Sequence, residues 1–208
     1  MADSTKRFSD RADVYAKFRP GYPENCIDFL VEQFSLNKKS VIADIGSGTG
    51  ILSSILLQKG FSVIGVEPND DMRKIAEDNL AGYRFVSVNG TGEVTHLENN
   101  SVDLVTVAQA FHWMDAEKAK VEFKRVLKKD NAIAILWNVQ TTTTGFAKKY
   151  EAIKQKYGED YIAIRKSHEP NLATFFEPFI YKMVKFPHYI VLDRTGLNGL
   201  IQSSSFMP

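Results

Sequence analysis

The residues of this chain best suited to chemistry are an alternating glycine triplet and an acidic residue that follows it. The triplet is Gly46, Gly48 and Gly50, after an apolar run that ends near Asp44. This pattern predicts a buried strand, a tight turn and a helix, and glycine leaves the backbone N–H groups of the turn open to a ligand. Glu67 ends the next predicted strand, where a carboxylate can accept hydrogen bonds from both hydroxyls of a ribose. The spacing predicts a nucleoside-binding site.

Two other glycine-rich nucleotide motifs fit this stretch less well. Dinucleotide-binding folds use G-x-G-x-x-G, whereas these glycines alternate strictly behind an acid. A phosphate-binding P-loop closes with Lys-Ser or Lys-Thr, and no lysine lies between Val41 and Gln58. A strand-to-helix turn that binds nothing is the remaining alternative, and the position of Glu67 favours a ligand.

A regular alternation of strands and helices positions these residues. The predicted elements are a helix over Pro23–Phe34, a strand from Val41, a helix from Ile51 to Gly60, a strand over Ser62–Glu67, a helix carrying Met72 to Leu80, a strand over Tyr83–Val88, a strand over Val102–Ala108, a helix after Asp115 that includes Leu127 and ends in Lys128 and Lys129, and a strand over Ala132–Val139. The alternation predicts an α/β fold with a doubly wound, mostly parallel sheet.

The carboxyl ends of parallel strands meet at one edge of such a sheet. We therefore expect the glycine turn, Glu67, the loop Asn89–Glu93 and the segment Gln109–Trp113 to share one crevice. Beyond the fifth strand, residues 141–178 are predicted to form a cap, and Phe179–Leu192 a further strand or bent pair. We expect a single domain over residues 1–208, with an N-terminal helical segment over residues 1–38.

Composition narrows the classes of partner. The 208 residues include 26 basic and 25 acidic side chains, a net charge of +1, which gives no global electrostatic reason to expect nucleic acid or an anionic membrane. The single cysteine, Cys26, excludes an internal disulfide and a cysteine-based zinc site, and no metal site is predicted. No window approaches the ~20 apolar residues of a membrane span, and the N-terminus has no apolar signal region. We expect a cytoplasmic protein with a small-molecule substrate.

The order of several motifs resembles that of a known family. The chain carries, in order, the blocks ADIGSGTG, VEP, NGTGE, SVDLVTVAQAFHWMD and FKRVLKKDNAIAILWN. It resembles class I S-adenosylmethionine-dependent methyltransferases, and within them the type 11 small-molecule branch. The blocks YAKFRPGYP and AQAFHWMD are most similar to those of trans-aconitate and cantharidin methyltransferases. The resemblance implies a Rossmann-like methyltransferase fold and S-adenosyl-L-methionine as cofactor.

The resemblance also implies roles for individual residues. Gly46, Ser47 and Gly48 would cradle the methionine part of the cofactor, and Asp44 would order the loop or bind the ammonium group. Glu67 would hold the ribose. The remaining implied cofactor contacts are Pro68 and Met72 beside the adenine, Thr91 and Gly92 at its edge, and Gln109 and Ala110 near the reacting methyl.

Four aromatic or basic residues are expected on the substrate side. The resemblance implies that Tyr15, Arg19 and Tyr22 fold over the site, and Trp113 follows the fourth strand directly. Aromatic faces can hold a sulfonium cation, and the planar guanidinium of Arg19 matches a substrate carboxylate. Phe18 and Phe111 are equally consistent with core packing, and Arg19 with a surface position.

His112 is the one histidine predicted at the crevice edge. A neutral imidazole there could take a proton from a hydroxyl, an amine or an acidic carbon, which predicts a catalytic base. The alternative is a positioning or helix-capping histidine, and a carboxylate acceptor would need no base.

The C-terminal residues leave a second function class open. Relatives usually continue past a serine-rich turn such as Ser203–Pro208 with a helix and a last antiparallel strand, so we expect the sheet to lack that strand. A non-catalytic S-adenosylmethionine-binding module is therefore the alternative to a methyltransferase that acts on a small organic acceptor.

Overall fold

The computed structural model describes residues 11–158, 161, 172–178, 180–204 and 207, and it is built on a parallel five-stranded sheet. In chain order the strands are β1 Val41–Ile45, β2 Ser62–Val66, β3 Phe85–Val88, β4 Val102–Ala108 and β5 Leu127–Leu136. Their order across the sheet is β3-β2-β1-β4-β5, and every pairing is parallel. The change of direction between β1 and β4 makes the sheet doubly wound, which confirms the predicted fold class.

Helices cover both faces of the sheet. They are α1 Ala12–Phe18, α2 Glu24–Gln33, α3 Ile51–Gln58, α4 Asp70–Asn79, α5 Ala116–Val126, α6 Gly145–Tyr157, α7 Leu172–Phe176 and α8 Arg194–Gln202, with a 3₁₀ turn at Phe111–Trp113. Leu104 of β4 packs in one core cluster, with α2 and α3, while its neighbour Val105 packs in the other, with α5 and α7. Because both faces of β4 are covered, its sequence is almost continuously apolar.

The boundary between α5 and β5 differs from the prediction. The helix ends at Val126, and Leu127 begins the strand, so the predicted start at Ala132 was wrong. Leu127 pairs with Val102, and an irregularity in the ladder separates this pair from the regular pairing that starts at Leu104. Lys128, predicted at the helix end, lies in β5, where its ammonium group meets Asp103 Oδ2 at 2.8 Å. This ion pair explains a basic residue within a strand.

The segment after the fifth strand is less regular than predicted. Residues 180–192 form neither helix nor strand, so the strand predicted over Phe179–Leu192 was wrong, and Phe179 itself lies outside the described residues. Phe186 instead packs on Phe29 of α2, with ring centroids 5.6 Å apart, which needs no strand partner. Of the predicted cap, residues 141–158, 161 and 172–178 are described, and they include α6 and α7.

The helix α8 was missed. Asp193 caps it by accepting a hydrogen bond from Gly196 N at 2.7 Å, a start signal that the sequence contains. The helix packs against α1, where the ring of Phe18 lies directly beside the backbone of Gly199. A Cβ at Gly199 would lie 2.2 Å from that ring.

Candidate functional site

The glycine turn joins the end of β1 to α3 in left-handed backbone conformations. Gly46, Gly48 and Gly50 have φ values of +69°, +55° and +83°. The N–H groups of Gly46 and Ser47 donate to Val66 O of β2, at 2.7 and 3.2 Å. Residues with a Cβ rarely adopt these angles, so the backbone path itself requires glycine. The turn therefore lies across the carboxyl ends of β1 and β2. Gly48 N also donates, to Glu67, so the prediction that the N–H groups of the turn are open to a ligand was wrong for Gly46, Ser47 and Gly48.

Close packing adds a second requirement at Gly46. A Cβ there would lie 2.4 Å from Ala110 Cβ, so the space is filled by the protein itself. Open access for a ligand is therefore not the reason for glycine at this position. At Gly48, by contrast, a Cβ would meet only the sulfur of Met72, at 3.6 Å, which is an ordinary contact.

Glu67 connects the turn to the start of α4. Its Oε2 accepts from Gly48 N at 3.0 Å, and its Oε1 accepts from Asn69 N at 3.0 Å. The side chain is buried, and this desolvation raises the pKa of its carboxyl, against the two backbone donors, which lower it. A carboxylate has about four acceptor positions, so each oxygen can accept one further hydrogen bond.

Asp44 lies at the end of β1 beneath the turn. Its carboxylate accepts from Ser53 Oγ of α3 at 2.7 Å and from Thr106 Oγ1 of β4 at 3.1 Å. Burial raises the pKa of Asp44 to about 6, although both hydroxyls favour the ionised form. Asp44 therefore ties the helix after the turn to the central strands.

The residues predicted around an adenine lie on two neighbouring elements. Pro68 precedes Asn69, whose Oδ1 caps α4 by accepting from Met72 N at 2.9 Å. Thr91 lies in the loop that follows β3, where its N–H donates to Val94 O at 2.9 Å. The first element follows β2, which neighbours the strand before the glycine turn, and the second follows β3 at the edge of the sheet.

Met114 is a crevice residue that the sequence did not single out. A Cβ on Gly92 would lie 2.4 Å from Met114 Sδ, and a Cβ on Gly46 would lie 3.5 Å from Met114 Cε. The flexible thioether side chain therefore fills the space between the predicted adenine-edge loop and the glycine turn. Only the fold shows this, because nothing in the spacing of Met114 distinguishes it from a core residue.

The end of β4 contributes Gln109 to Trp113. Gln109 has a φ of +59°, which is strained for a residue with a Cβ, and its N–H donates to Leu136 O at 2.9 Å. His112 and Trp113 form the following 3₁₀ turn, with ring centroids 4.6 Å apart. Trp113 is 37% exposed. Strained backbone at a strand end is typical of functional sites.

The N-terminal residues reach the same crevice. Burial raises the pKa of Tyr15, the Arg19 guanidinium lowers it, and the Glu67 carboxyl raises it further. Burial also raises the pKa of Tyr22, with smaller contributions from Tyr15 and Asp44. Tyr15 is therefore within electrostatic range of Glu67, and Tyr22 within range of Asp44.

Arg19 has contacts that the sequence did not predict. Its guanidinium lies 5.0 Å from the ring centroid of Tyr15, and its Nη2 donates to Ser203 O at 2.9 Å. Arg11 reinforces this contact by donating from Nη1 to Ser204 O at 2.9 Å. The end of α8 thus holds the N-terminal helix beside the crevice.

Among the described residues, no helix combines the length and the apolar character that a membrane crossing requires. In the same part of the chain, no three His, Cys, Asp or Glu side chains gather in a way that could hold a metal ion.

Comparisons with known proteins show the family of this chain. A family model described as a methyltransferase domain matches residues 43–135. An uncharacterized methyltransferase of Mycobacterium tuberculosis is 32% identical, over 98% of this chain and 79% of its own length. One from Schizosaccharomyces pombe is also 32% identical, over 71% of this chain and 58% of its own length.

Solved structures share the fold. A crystal structure from Methanococcus maripaludis, of a protein assigned as an S-adenosyl-L-methionine-dependent methyltransferase, matches with a TM-score of 0.59. The alignment covers 82% of this chain and 78% of the other, at 22% identity, and thus shows a common fold.

The contact between Gly46 and Ala110 predicts a coupled pair. Gly46→Ala should lower the free energy of unfolding by about 2–5 kcal/mol, from left-handed strain and overpacking together. Gly82→Ala is the matched control, because φ is +86° there and a Cβ would meet nothing within 4 Å. The control should lose only the left-handed strain, about 1–2 kcal/mol.

A second change isolates the clash. Adding Ala110→Gly to Gly46→Ala should restore about 1–3 kcal/mol, measured by urea unfolding as a double-mutant cycle. Equal losses for Gly46→Ala and Gly82→Ala, or additive effects at 46 and 110, would contradict the packing described here.

Burial of Asp44 predicts a pH dependence. Because its pKa rises from 3.8 to about 6, the folded state binds this proton more tightly than the unfolded state. The contribution of Asp44 to stability is therefore highest below pH ~4 and falls by up to ~3 kcal/mol as the pH rises through ~6. Asp44→Asn cannot titrate, so the stability difference between wild type and variant should change over this range. Urea unfolding of both proteins at several pH values measures it, and a pH-independent difference would refute the prediction.

Proposed function

Since this chain belongs to the class I S-adenosylmethionine-dependent methyltransferases, we propose that its crevice binds S-adenosylmethionine and that the protein methylates a small organic acceptor. The observation that carries the proposal is the buried carboxyl of Glu67 at the end of β2, bonded to Gly48 N of the glycine turn. This arrangement offers a diol-binding carboxylate and a glycine turn side by side, as an adenosyl group with an amino-acid tail requires.

Polar groups of the crevice that can still form hydrogen bonds support the binding of S-adenosylmethionine. Each Glu67 oxygen accepts one backbone N–H and can accept one ribose hydroxyl in addition. Thr49, buried in the same turn, has a hydroxyl with no hydrogen-bond partner among the described residues. A buried hydroxyl without a partner is unfavourable, so a polar ligand at the turn would stabilise it.

The other contacts follow from the positions of the elements. The turn Gly46–Gly48 would hold the methionine part, Pro68 and Met72 would flank the adenine, and Thr91 with Gly92 would face its edge. Gln109 and Ala110 would lie beside the methyl group. The assigned residues follow the carboxyl ends of β1, β2, β3 and β4.

The chemistry asked of the chain is alignment and exclusion of water. Bound S-adenosylmethionine supplies an electrophilic methyl group on a sulfonium. Gln109 and Ala110 would border the acceptor atom that takes this methyl group, with the bonding electron pair left on sulfur. Alignment of this kind lowers barriers by up to ~7–11 kcal/mol in well-oriented systems. Tyr15, Tyr22 and Trp113 offer aromatic faces for the cation, at about 0.5–2 kcal/mol per contact.

The class of acceptor is proposed from charge and donors. With 26 basic and 25 acidic residues, the chain has no excess positive charge of the kind that favours nucleic acid. Arg19 Nε has no hydrogen-bond partner among the described residues, although Nη2 is bound to Ser203 O. This donor supports a carboxylate acceptor. An acceptor that carries a proton would transfer it to His112.

Cofactor binding is tested by calorimetry. Glu67→Gln should weaken the binding of S-adenosylmethionine and of adenosine about 10- to 100-fold. A charged acceptor of ribose hydroxyls contributes about 1.5–3 kcal/mol to the binding free energy. Glu77→Gln, on the exposed side of α4, is the matched control. Thermal melts separate lost binding from a disturbed turn. Unchanged affinity of a folded Glu67→Gln protein would refute the site.

Turnover is tested on a panel of acids, alcohols and amines, with S-adenosylhomocysteine as the measured product. Production of S-adenosylhomocysteine with a small acceptor is expected. Binding without any product across the panel would instead indicate a non-catalytic binding module.

The role of His112 depends on the acceptor. His112→Asn should lower kcat about 10²- to 10⁴-fold for hydroxyl or amine acceptors, and should leave cofactor affinity and carboxylate methylation unchanged. His96→Asn is the control, because His96 is exposed and its φ of +59° suits asparagine. An unchanged kcat across the pH range for an amine acceptor would remove the base role.

A further inference from the structure

Asn138 lies just beyond the carboxyl end of β5, on the crevice side of the sheet. Its Nδ2 donates to Gly21 O at 3.0 Å and approaches Pro20 O at 3.5 Å. These carbonyls belong to the short segment Arg19–Tyr22, which connects α1 to α2. Both ends of this segment, Arg19 and Tyr22, reach the crevice residues described above.

The segment also packs against α3. A Cβ on Gly21 would lie 3.6 Å from Ile55 Cδ1 and 4.0 Å from Ile51 Cγ2, so the backbone rests on the first turns of α3. This helix starts directly after the glycine turn. The amide of Asn138 therefore holds the segment above the start of α3, next to the proposed methionine site.

The same residue also contacts the end of β4. Gln109 Nε2 donates to Asn138 O at 3.5 Å, and Gln109 N donates to Leu136 O at 2.9 Å. The strained backbone of Gln109 is thus supported by two carbonyls at the end of β5. Asn138 Oδ1 lies 3.4 Å from His188 Nδ1, which agrees with an amide oriented with its NH₂ group toward the two carbonyls.

From these contacts we infer that Asn138 is a positioning residue. It joins the Arg19–Tyr22 segment to the end of β4 and holds this segment closed over the crevice. The expected effect of Asn138 on catalysis rests on the proposed function. Its expected effect on the Arg19–Tyr22 segment rests on the amide contacts alone. Side-chain amides suit this position, because only a donor can bind two carbonyl oxygens.

Two substitutions test the inference. Asn138→Ala removes the donor, and Asn138→Asp replaces it with a carboxylate that repels the carbonyls of Pro20 and Gly21. Asn79→Asp, at the exposed end of α4, is the control for a change of charge. The first measurement is hydrogen exchange of the ligand-free protein, resolved by peptide.

Exchange of the amides of Arg19, Gly21 and Tyr22 should rise about three- to tenfold in Asn138→Ala and more in Asn138→Asp, with no change near β2 or in the control. Unchanged exchange in this segment, or an equal rise in every peptide, would overturn the inference.

Kinetics give the second measurement. In Asn138→Ala, kcat should fall at least tenfold while the dissociation constant of adenosine, which depends on Glu67, stays within twofold. A fall in adenosine affinity equal to the fall in kcat would show general damage to the site and overturn the positioning role. If the wild-type protein binds adenosine without turnover, the proposed function fails, whereas the exchange result still decides the role of Asn138.

Discussion

The structure of the crevice depends on one buried interaction, the carboxylate of Glu67 bonded to the N–H groups of Gly48 and Asn69. One side chain thereby fixes the turn after β1 and the start of α4 after β2. The N–H groups of Gly46 and Ser47 in the glycine turn also donate to Val66 O of β2. The first two strand–helix units are therefore joined both by Glu67 and by these backbone hydrogen bonds. A buried carboxylate with only backbone donors is unfavourable in isolation, and it persists here because both N–H groups are supplied by turns that need an acceptor.

A second feature of the crevice is a group of buried titratable side chains close to the N-terminal segment. Asp44, Glu67, Tyr15 and Tyr22 lie together at the carboxyl edge, and burial raises the pKa of each of them. Perturbed titratable groups in one cleft are typical of functional sites. The segment Arg19–Tyr22 makes hydrogen bonds at two points, from Arg19 to Ser203 O at the end of α8 and from Asn138 to Gly21 O.

The particular successes and failures of prediction have physical causes. The continuous apolar run of β4 was bounded correctly because it is buried on both faces. Asn69 and Asp115 cap α4 and α5 by accepting hydrogen bonds from N–H groups three residues ahead, which is a local interaction of the kind that a sequence can indicate. The start of β5 was misplaced because pairing with Val102 and the Asp103 ion pair draw Leu127 and Lys128 into the sheet. Residues 180–192 contain strand-forming side chains, but no ladder receives them.

The sequence by itself determined the alternation of elements, the glycine turn and the acid at the end of β2, because these depend on local backbone preferences and on burial periodicity. Only the tertiary structure decided that Gly46 faces Ala110, that Met114 fills the space between two loops, and that Arg19 and Asn138 hold the N-terminal segment. These contacts join residues far apart in the chain. Their partners are set by how the elements pack, and no local pattern encodes that choice.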